Sequence, residues 1–242
     1  MRGWWREITG LVLPVACGGC GRPRTELCEE CGAQLHGGVP RRVRPVPEPD
    51  GLPVVHAAAG YENAVRAVLL AHKERGVLGL AGALGKALAG AVRAGAGPRS
   101  GPGPLLLVPV PSSRRIVAAR GHDPTRRIAL AAAAELRRAG TPARVASVLR
   151  QRRPVADQSG LGARERRANL MGALDVVAGG GRLLATGRVM LVDDLLTTGA
   201  SLAEAARAID GADGPDRPRP GARRAAVVAV SPSALEINRN CK

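Results

Sequence analysis

Short apolar runs alternate with amphipathic stretches along most of the chain. The apolar runs predict strands at Val54–Gly60, Leu105–Val110, Val145–Leu149, Val189–Val192 and Ala225–Val230. Apolar positions and N-terminal helix signals predict helices at Tyr61–Ala71, Leu78–Ala94, Pro124 to about Ala139, and Ser201–Ile209. Continuous apolar runs are typical of strands buried on both faces. The alternation therefore predicts an α/β fold, with a parallel sheet flanked by helices.

The N-terminal part of the chain departs from this pattern. Residues 1–38 carry four of the five cysteines and are expected to form a short helix and a small, removable metal module. Residues 39–53 are rich in proline and predict a linker. Residues 54–242 would form the main domain. The apolar run at Ile8–Ala16 is short and contains a proline, so we expect neither a signal peptide nor membrane insertion, and predict a cytoplasmic protein.

Composition narrows the range of partners. The 242 residues include two Trp, one Tyr and no Phe, so few aromatic rings are present on which nucleic-acid bases could stack. The formal net charge is +16, and all but three of the basic residues are arginine. Such a charge favours phosphorylated substrates or nucleic acid. The abundance of Ala, Gly, Pro and Arg is equally typical of codon bias in a GC-rich genome.

The cysteines near the N-terminus form two CxxC pairs. Cys17 and Cys20 are separated from Cys28 and Cys31 by seven residues, and glycines beside them allow tight turns. This spacing is typical of a tetrahedral structural Zn²⁺ site. Redox-active or free cysteines are the alternative. Cys241 has no partner in this scheme.

The strongest candidate for a binding site is the segment VMLVDDLLTTGAS, residues 189–201. An apolar run ends in Asp193 and Asp194, and a turn then leads into a predicted helix. Ligands of open parallel sheets bind where strands end and helices begin. Hydroxyls and N–H groups of residues 197–201 would form a phosphate site, and two carboxylates accept hydrogen bonds from a diol. The segment predicts a ribose 5-phosphate site; a polar strand end with an aspartate cap is the alternative.

This segment resembles the 5-phosphoribosyl-1-pyrophosphate (PRPP) motif of type I phosphoribosyltransferases. The resemblance implies that Asp193 and Asp194 are the catalytic acids, which bind the 2′ and 3′ hydroxyls of the ribose. It also implies that the adjoining turn binds the 5-phosphate. The turn positions that match are Leu195, Thr197, Thr198, Gly199, Ala200 and Ser201.

Further stretches resemble the ComF/GntX-like group, which is related to amidophosphoribosyltransferases. They are residues 17–31, 71–76, 108–123 and 158–170. The sequence departs from the group at His122 and Asp123, where Phe and Asn are usual, and at residues 171–174, which lack the usual Phe. Within residues 108–123 the resemblance implies a pyrophosphate loop, and forked guanidinium donors suit pyrophosphate. Its candidate residues are Pro109, Val110, Arg114, Arg115 and Arg120; a solvated basic loop is the alternative for any one arginine.

By the same resemblance, the basic segment at about 151–170 is a flexible hood that closes over PRPP; an exposed helix is the alternative. Lys73 is either a further site residue or a solvated surface lysine. His72 and His122 are weak site candidates, whereas His36 and His56 are expected to be structural.

The resemblance implies a phosphoribosyltransferase that uses PRPP with Mg²⁺ and an unidentified nucleophile. A non-catalytic component that handles single-stranded DNA in natural competence is the second hypothesis, and a PRPP sensor is the third. Competence proteins and a second copy of the chain are further candidate partners.

Overall fold

The computed structural model describes residues 15–97, 103–153, 169–212 and 223–234. The predicted N-terminal helix, residues 154–168 of the predicted hood, and Cys241 lie outside these ranges, as does the side chain of Arg114.

Helices and strands alternate through most of the described chain. The helices are α1 (Glu29–His36), α2 (Asn63–Lys73), α3 (Ala81–Ala96), α4 (Arg114–Arg120), α5 (Pro124–Arg138), α6 (Gly180–Leu184) and α7 (Ala200–Asp210), with short 3₁₀ turns at Leu78–Leu80 and Pro232–Ala234. The strands are β1 (Arg41–Val43), β2 (Val54–Gly60), β3 (Leu105–Pro109), β4 (Ala143–Val145), β5 (Leu149–Gln151), β6 (Leu174–Val176), β7 (Arg188–Leu196) and β8 (Arg224–Val230). None of the helices in the described ranges has both the length and the apolar character needed to cross a membrane.

Six strands form one sheet in the order β1-β2-β8-β7-β3-β4. β1 pairs antiparallel with β2, and every other neighbouring pair in this sheet is parallel. β5 and β6 form a separate antiparallel pair. The predicted α/β architecture with a mostly parallel sheet and flanking helices is confirmed.

The sheet is buried on both faces. Along β7, Met190 and Val192 belong to the core cluster that contains α2, α3 and α5, whereas Leu191 belongs to the cluster that contains α7. This separation follows from the alternation of side chains along a strand. Small residues let the helices approach closely, since a methyl group at Gly85 of α3 would overlap Ala131 of α5. Close packing of Ala, Val and Leu thus forms a core without phenylalanine.

Several predicted boundaries are corrected by the structure. The single strand expected at Val145–Leu149 is wrong, because the chain turns at residues 146–148 and its flanking residues join two different sheets. The helix expected at Leu78–Ala94 begins with a 3₁₀ turn and continues to Ala96. Residues 39–53, expected to be a linker, contain β1, which extends the main sheet at its edge. Arg114 and Arg115, expected on a loop, begin helix α4.

The N-terminal cysteine segment is also part of this fold. Leu35 of α1 is fully buried in the main core cluster, and the cysteine cluster packs against Ala64 of α2. A methyl group at Gly18 would lie 2.7 Å from Leu80 Cδ1 and 3.3 Å from Ala71 Cβ. Removing this segment would therefore expose apolar core surface.

Candidate functional site

The two acids lie on β7 itself. The strand was expected to end at Val192, but it continues to Leu196 because β8 pairs with it as far as Leu196↔Val230. On the other side, pairing with β3 stops at Pro109↔Val192. Asp193 and Asp194 therefore sit where β7 extends beyond β3, at the carboxyl edge of the sheet. This is the edge at which open parallel sheets bind ligands.

Lys73 at the end of α2 forms an ion pair with this acid pair. Its Nζ donates to Asp194 Oδ2 over 2.6 Å, and Asp194 is buried. Burial raises the pKa of Asp194, but the Lys73 cation outweighs it and holds that pKa below the usual value. Burial and the neighbouring Asp194 raise the pKa of Asp193. Of the two alternatives for Lys73, the structure places it at the site rather than free in solvent.

A tight turn follows the acids and begins α7. Gly199 is its N-cap, with a left-handed φ of 78° that favours glycine. A methyl group at Gly199 would lie 3.0 Å from Leu52 Cδ1, so the chain packs closely there. Thr198 Oγ1 accepts a hydrogen bond from Ala200 N–H over 3.5 Å. The turn thus directs the first N–H groups of an 11-residue helix towards the sheet edge, and such groups attract anions.

The loop after β3 lies beside this turn. Val110 N–H donates to the Val192 carbonyl over 2.9 Å, which fixes the loop next to the acids. Ser113 caps α4 by accepting from Ile116 N–H. At the other end of α4, Arg120 contacts both carboxylate oxygens of Glu74 at 2.6 Å. The predicted pyrophosphate donor Arg120 is therefore already paired with an acid.

These elements enclose one cavity of about 810 Å³, within the range of about 300–1,000 Å³ usual for ligand sites. Its charged lining groups are Lys73, Glu74, Arg115, Arg120, Asp193 and Asp194. The cavity brings together both acids, Thr197 and Ser201 of the turn, and Val110, Arg115 and Arg120 of the β3 loop and α4. Thr198, Gly199 and Ala200 form the turn behind Thr197 and Ser201 without lining the cavity, and Pro109 ends β3 beneath it.

The cavity also has lining residues that the sequence did not single out. Apolar side chains form one part of the wall, among them Tyr61, Leu69, Leu70, Ile116 and Leu174. Tyr61 follows the end of β2, two strands from β7 in the sheet. The Glu74 carboxylate was likewise not named as a site residue. Leu69 and Leu70 lie within the predicted helix Tyr61–Ala71, and Glu74 lies within the stretch 71–76 that resembles the ComF/GntX-like group, but neither signal pointed to contact with a ligand.

The described ends of the predicted hood lie at the cavity. β5 and β6 pair antiparallel, and Gln151 and Leu170 line the cavity on the two sides of the connecting segment. Glu204 of α7 holds this pair in place, because its Oε1 accepts from Leu174 N–H over 2.9 Å. Arg207 donates to both Glu204 and the Leu174 carbonyl. The base of the predicted hood is thus fixed to the helix that begins at the turn.

We expect Glu204→Ala to lower the free energy of unfolding by about 2 kcal/mol, because the buried Leu174 N–H would lose its acceptor. Burial raises the pKa of Glu204, but Arg207 and backbone N–H donors hold it below its ordinary value of 4.5. The stabilisation is therefore present above pH 4.5 and is lost as the pH falls through the lower pKa of the folded chain. Urea unfolding at pH 7 and at acidic pH measures both effects. Glu135→Ala, which removes an i,i+3 ion pair with the exposed Arg138, should change stability by about 0.5 kcal/mol or less.

None of the four histidines lines the cavity. His72 is fully buried, and its Nδ1 lies 3.2 Å from the Val77 carbonyl oxygen. His122 Nε2 lies 3.3 Å from the His72 carbonyl oxygen. Neither is among the residues that line the cavity, nor are His36 and His56. His72 and His122 instead connect the end of α2 to the turn after α4.

The four N-terminal cysteines form a compact cluster. The sulfur atoms of Cys17, Cys20, Cys28 and Cys31 all lie within 4.8 Å of one another, and those of Cys20 and Cys28 are 3.6 Å apart. Four thiolates about 2.3 Å from a tetrahedral zinc ion would be spaced similarly. Burial raises the pKa of Cys17, but backbone N–H donors of Cys20, Cys28 and Gly19 bring it down to about 6. The cluster fits a structural zinc ion, as its spacing predicts.

Neither a scan against protein-family models nor a search of curated proteins finds a match for this chain.

Proposed function

We propose that the chain binds PRPP with Mg²⁺ and transfers the phosphoribosyl group to a nitrogen nucleophile, releasing pyrophosphate. One observation carries the proposal. A strand–turn–helix unit with two acids and a hydroxyl-bearing turn lines the same cavity as two arginines of α4, the helix that follows the neighbouring strand β3. The sequence resemblance and the mostly parallel sheet support a type I phosphoribosyltransferase fold of the ComF-like kind.

Each part of PRPP has a matching part of the cavity. The ribose diol donates to Asp193 and Asp194, which end the apolar stretch of β7. The 5-phosphate lies at residues 197–201, where hydroxyls and the N-terminus of α7 provide donors. The pyrophosphate lies along residues 109–115, with the guanidinium groups of Arg115 and Arg120 nearby.

The reaction in this proposal needs positioning and charge more than a strong base. The nitrogen forms a bond to C1 as the bond from C1 to the pyrophosphate oxygen breaks, and the leaving pyrophosphate takes the electron pair. Positive charge develops on the ribose, where the acid pair stabilises it. Mg²⁺ bound with PRPP would neutralise the leaving group.

Two basic groups that line the cavity are paired with acids. Lys73 contacts Asp194, and Arg120 contacts Glu74. A polyanionic ligand would compete for both cations, so PRPP binding exchanges internal ion pairs for contacts with phosphate groups. In this proposal Lys73 has two roles. It neutralises the buried acids before PRPP binds, and it lies beside the phosphates of PRPP in the complex.

Lys73→Met should therefore weaken PRPP binding about tenfold. A charged hydrogen bond contributes about 1.5–3 kcal/mol, and water that replaces the lost ammonium group would make up part of this loss. Lys73→Arg, which keeps the charge, should lose less. Calorimetric titration with PRPP and Mg²⁺ measures both variants. Lys86→Met is a matched control on α3, because Lys86 is exposed and is not among the lining residues. Equal affinity for the Lys73 and Lys86 variants would contradict the role of Lys73.

The test of turnover is pyrophosphate release in the presence of PRPP and Mg²⁺. Purines, pyrimidines, glutamine and ammonia are offered in turn as acceptors. Release that depends on one acceptor and is lost in Asp193→Asn supports the transferase. Binding of PRPP without release for any acceptor would overturn transfer to these acceptors and leave a PRPP-binding protein, which corresponds to the sensor hypothesis.

Single-stranded DNA is the second candidate ligand, favoured by the net charge of +16. A protein that neutralises phosphates releases counterions, so its affinity falls steeply as salt rises. A salt series with single-stranded DNA, compared with a basic protein of similar charge, tests this candidate. Affinity no higher than that of the comparison protein would count against it.

A further inference from the structure

Helix α2 connects the cysteine cluster to the cavity. At its start, Ala64 packs among Cys17, Cys28 and Cys31. At its end, Lys73 contacts Asp194, and the next residue, Glu74, contacts Arg120. Eleven residues rising about 1.5 Å each make a rod about 16 Å long. A single helix thus has one end on the cysteine cluster and the other at the candidate substrate site.

The cysteine segment holds α2 at several points along its length. Gln34 Oε1 accepts a hydrogen bond from Ala64 N–H over 3.3 Å. Gln34 therefore caps the start of α2, because the side chain of the N-cap residue Glu62 makes no such bond. Gly18 packs against Ala71 in the last turn of the helix. Arg75, just past the helix, donates to the Gly18 carbonyl over 3.3 Å. The helix is therefore bound to the cysteine segment at both its first and last turns.

We expect the cysteine segment to need a bound metal for this shape. The apolar groups that its residues 15–36 pack into the core are the three buried thiols, Leu35 and the partly buried Leu27. Without a metal, four thiols that lie within 4.8 Å of one another would have no ion to hold them together. The cap at Ala64 and the packing of Gly18 on Ala71 both come from this segment, so both would be lost or weakened with the metal.

We propose that the metal-loaded cysteine cluster positions Lys73 and Glu74 through α2, so that zinc binding and PRPP binding strengthen one another. The inference rests on the proposed function for its ligand. It states that the cysteine cluster and the cavity are coupled, and such a coupling changes the binding free energy of both ligands equally. Zinc raises the affinity for PRPP by presenting Lys73 correctly, and PRPP in turn raises the affinity for zinc by the same factor.

Two glycines beside cysteines of the cluster provide a matched pair of variants. A methyl group at Gly18 would overlap Leu80 Cδ1 at 2.7 Å and press on Ala71 of α2, whereas one at Gly32 meets only Leu27 at 3.9 Å. Both changes leave the four cysteines in place. We expect Gly18→Ala to retain one zinc per chain and to bind PRPP about tenfold more weakly, while Gly32→Ala stays within about twofold of wild type.

A second pair covers the case in which Gly18→Ala loses zinc or unfolds. Arg75→Met removes the bonds to the Gly18 and Ala67 carbonyls, and Arg66→Met removes the same charge from an exposed position on α2. Arg75→Met should weaken PRPP binding about fivefold, and Arg66→Met should not. Hydrogen exchange provides a readout without ligand, since the amides of residues 70–74 should exchange faster in both coupling variants.

The reciprocal measurement is the rate at which zinc passes to a chromophoric chelator. Saturating PRPP should slow this transfer in wild type and have no effect in Asp193→Asn, a contrast that a merely structural zinc site would not show. Equal PRPP affinity in the coupling and control variants, with zinc retained, overturns the inference and leaves the proposed function standing. If zinc-loaded wild type fails to bind PRPP, the proposed function and the coupling to PRPP both fall. If hydrogen exchange at residues 70–74 is also unchanged in Gly18→Ala and Arg75→Met, the cysteine cluster does not position Lys73 and Glu74.

Discussion

Replacing both Asp193 and Asp194 with asparagine should weaken PRPP binding by about 100-fold or more. Each carboxylate that accepts from a ribose hydroxyl is worth about 1.5–3 kcal/mol, and 1.4 kcal/mol corresponds to tenfold. Asparagine keeps the size of the side chain, so the cavity should keep its shape. Calorimetry with PRPP and Mg²⁺ measures the loss, and pyrophosphate release, where wild type shows it, should fall with it.

The matched control is the double variant Asp175→Asn with Asp210→Asn. It replaces the same number of carboxylates, but both acids are outside the cavity lining. Asp175 makes a 3.5 Å ion pair with the half-exposed Arg150 and accepts from the N–H of its neighbour Val176. Its affinity for PRPP should stay within about threefold of wild type. If the two double variants bind PRPP equally well, the ribose is not held by Asp193 and Asp194.

Removing the metal should destabilise the chain strongly. Structural zinc contributes about 10 kcal/mol or more in small modules, and 1 kcal/mol shifts the Tm by about 2–4 °C in a chain of 150–250 residues. We therefore expect the Tm to fall by about 20 °C or more when a chelator removes the ion. Cys31→Ser, which replaces a buried thiol of the cluster, should reproduce the effect.

Metal analysis provides the check on this prediction. Protein purified without chelator should contain one zinc per chain, and an excess of zinc should restore the Tm after dialysis. A zinc content well below one per chain, or a metal-free Tm within about 2 °C of the loaded one, would refute a structural zinc site.

The sheet could be predicted from sequence because its strands are continuous apolar runs. Val54–Gly60 was predicted with its observed bounds, and Ala225–Val230 differs from β8 by one residue. The short edge strand β1 was missed, because Arg41 and Arg42 are exposed and prolines surround them. The strand expected at Val145–Leu149 failed because its apolar residues meet two different sheets. A local pattern shows that residues are buried, but not against which partner.

The acids and the turn of the candidate site could also be found from sequence, because they lie next to each other in the chain. The ion pair between Lys73 and Asp194 could not, since 121 residues separate its partners. The pairing of Arg120 with Glu74 spans 46 residues and was missed for the same reason. The connection from the cysteine cluster to the cavity depends on the position of α2 in the fold, which no local motif encodes.

A calorimetric titration of the zinc-loaded wild-type chain with PRPP at saturating Mg²⁺ measures the proposed binding itself. We expect one site per chain with a Kd between about 1 µM and 1 mM, the usual range of KM values for enzyme substrates. Ribose 5-phosphate, which lacks the pyrophosphate, should bind more weakly at the same site. Absence of PRPP binding by the folded, zinc-loaded chain would contradict a PRPP site at Asp193, Asp194 and the turn that follows them.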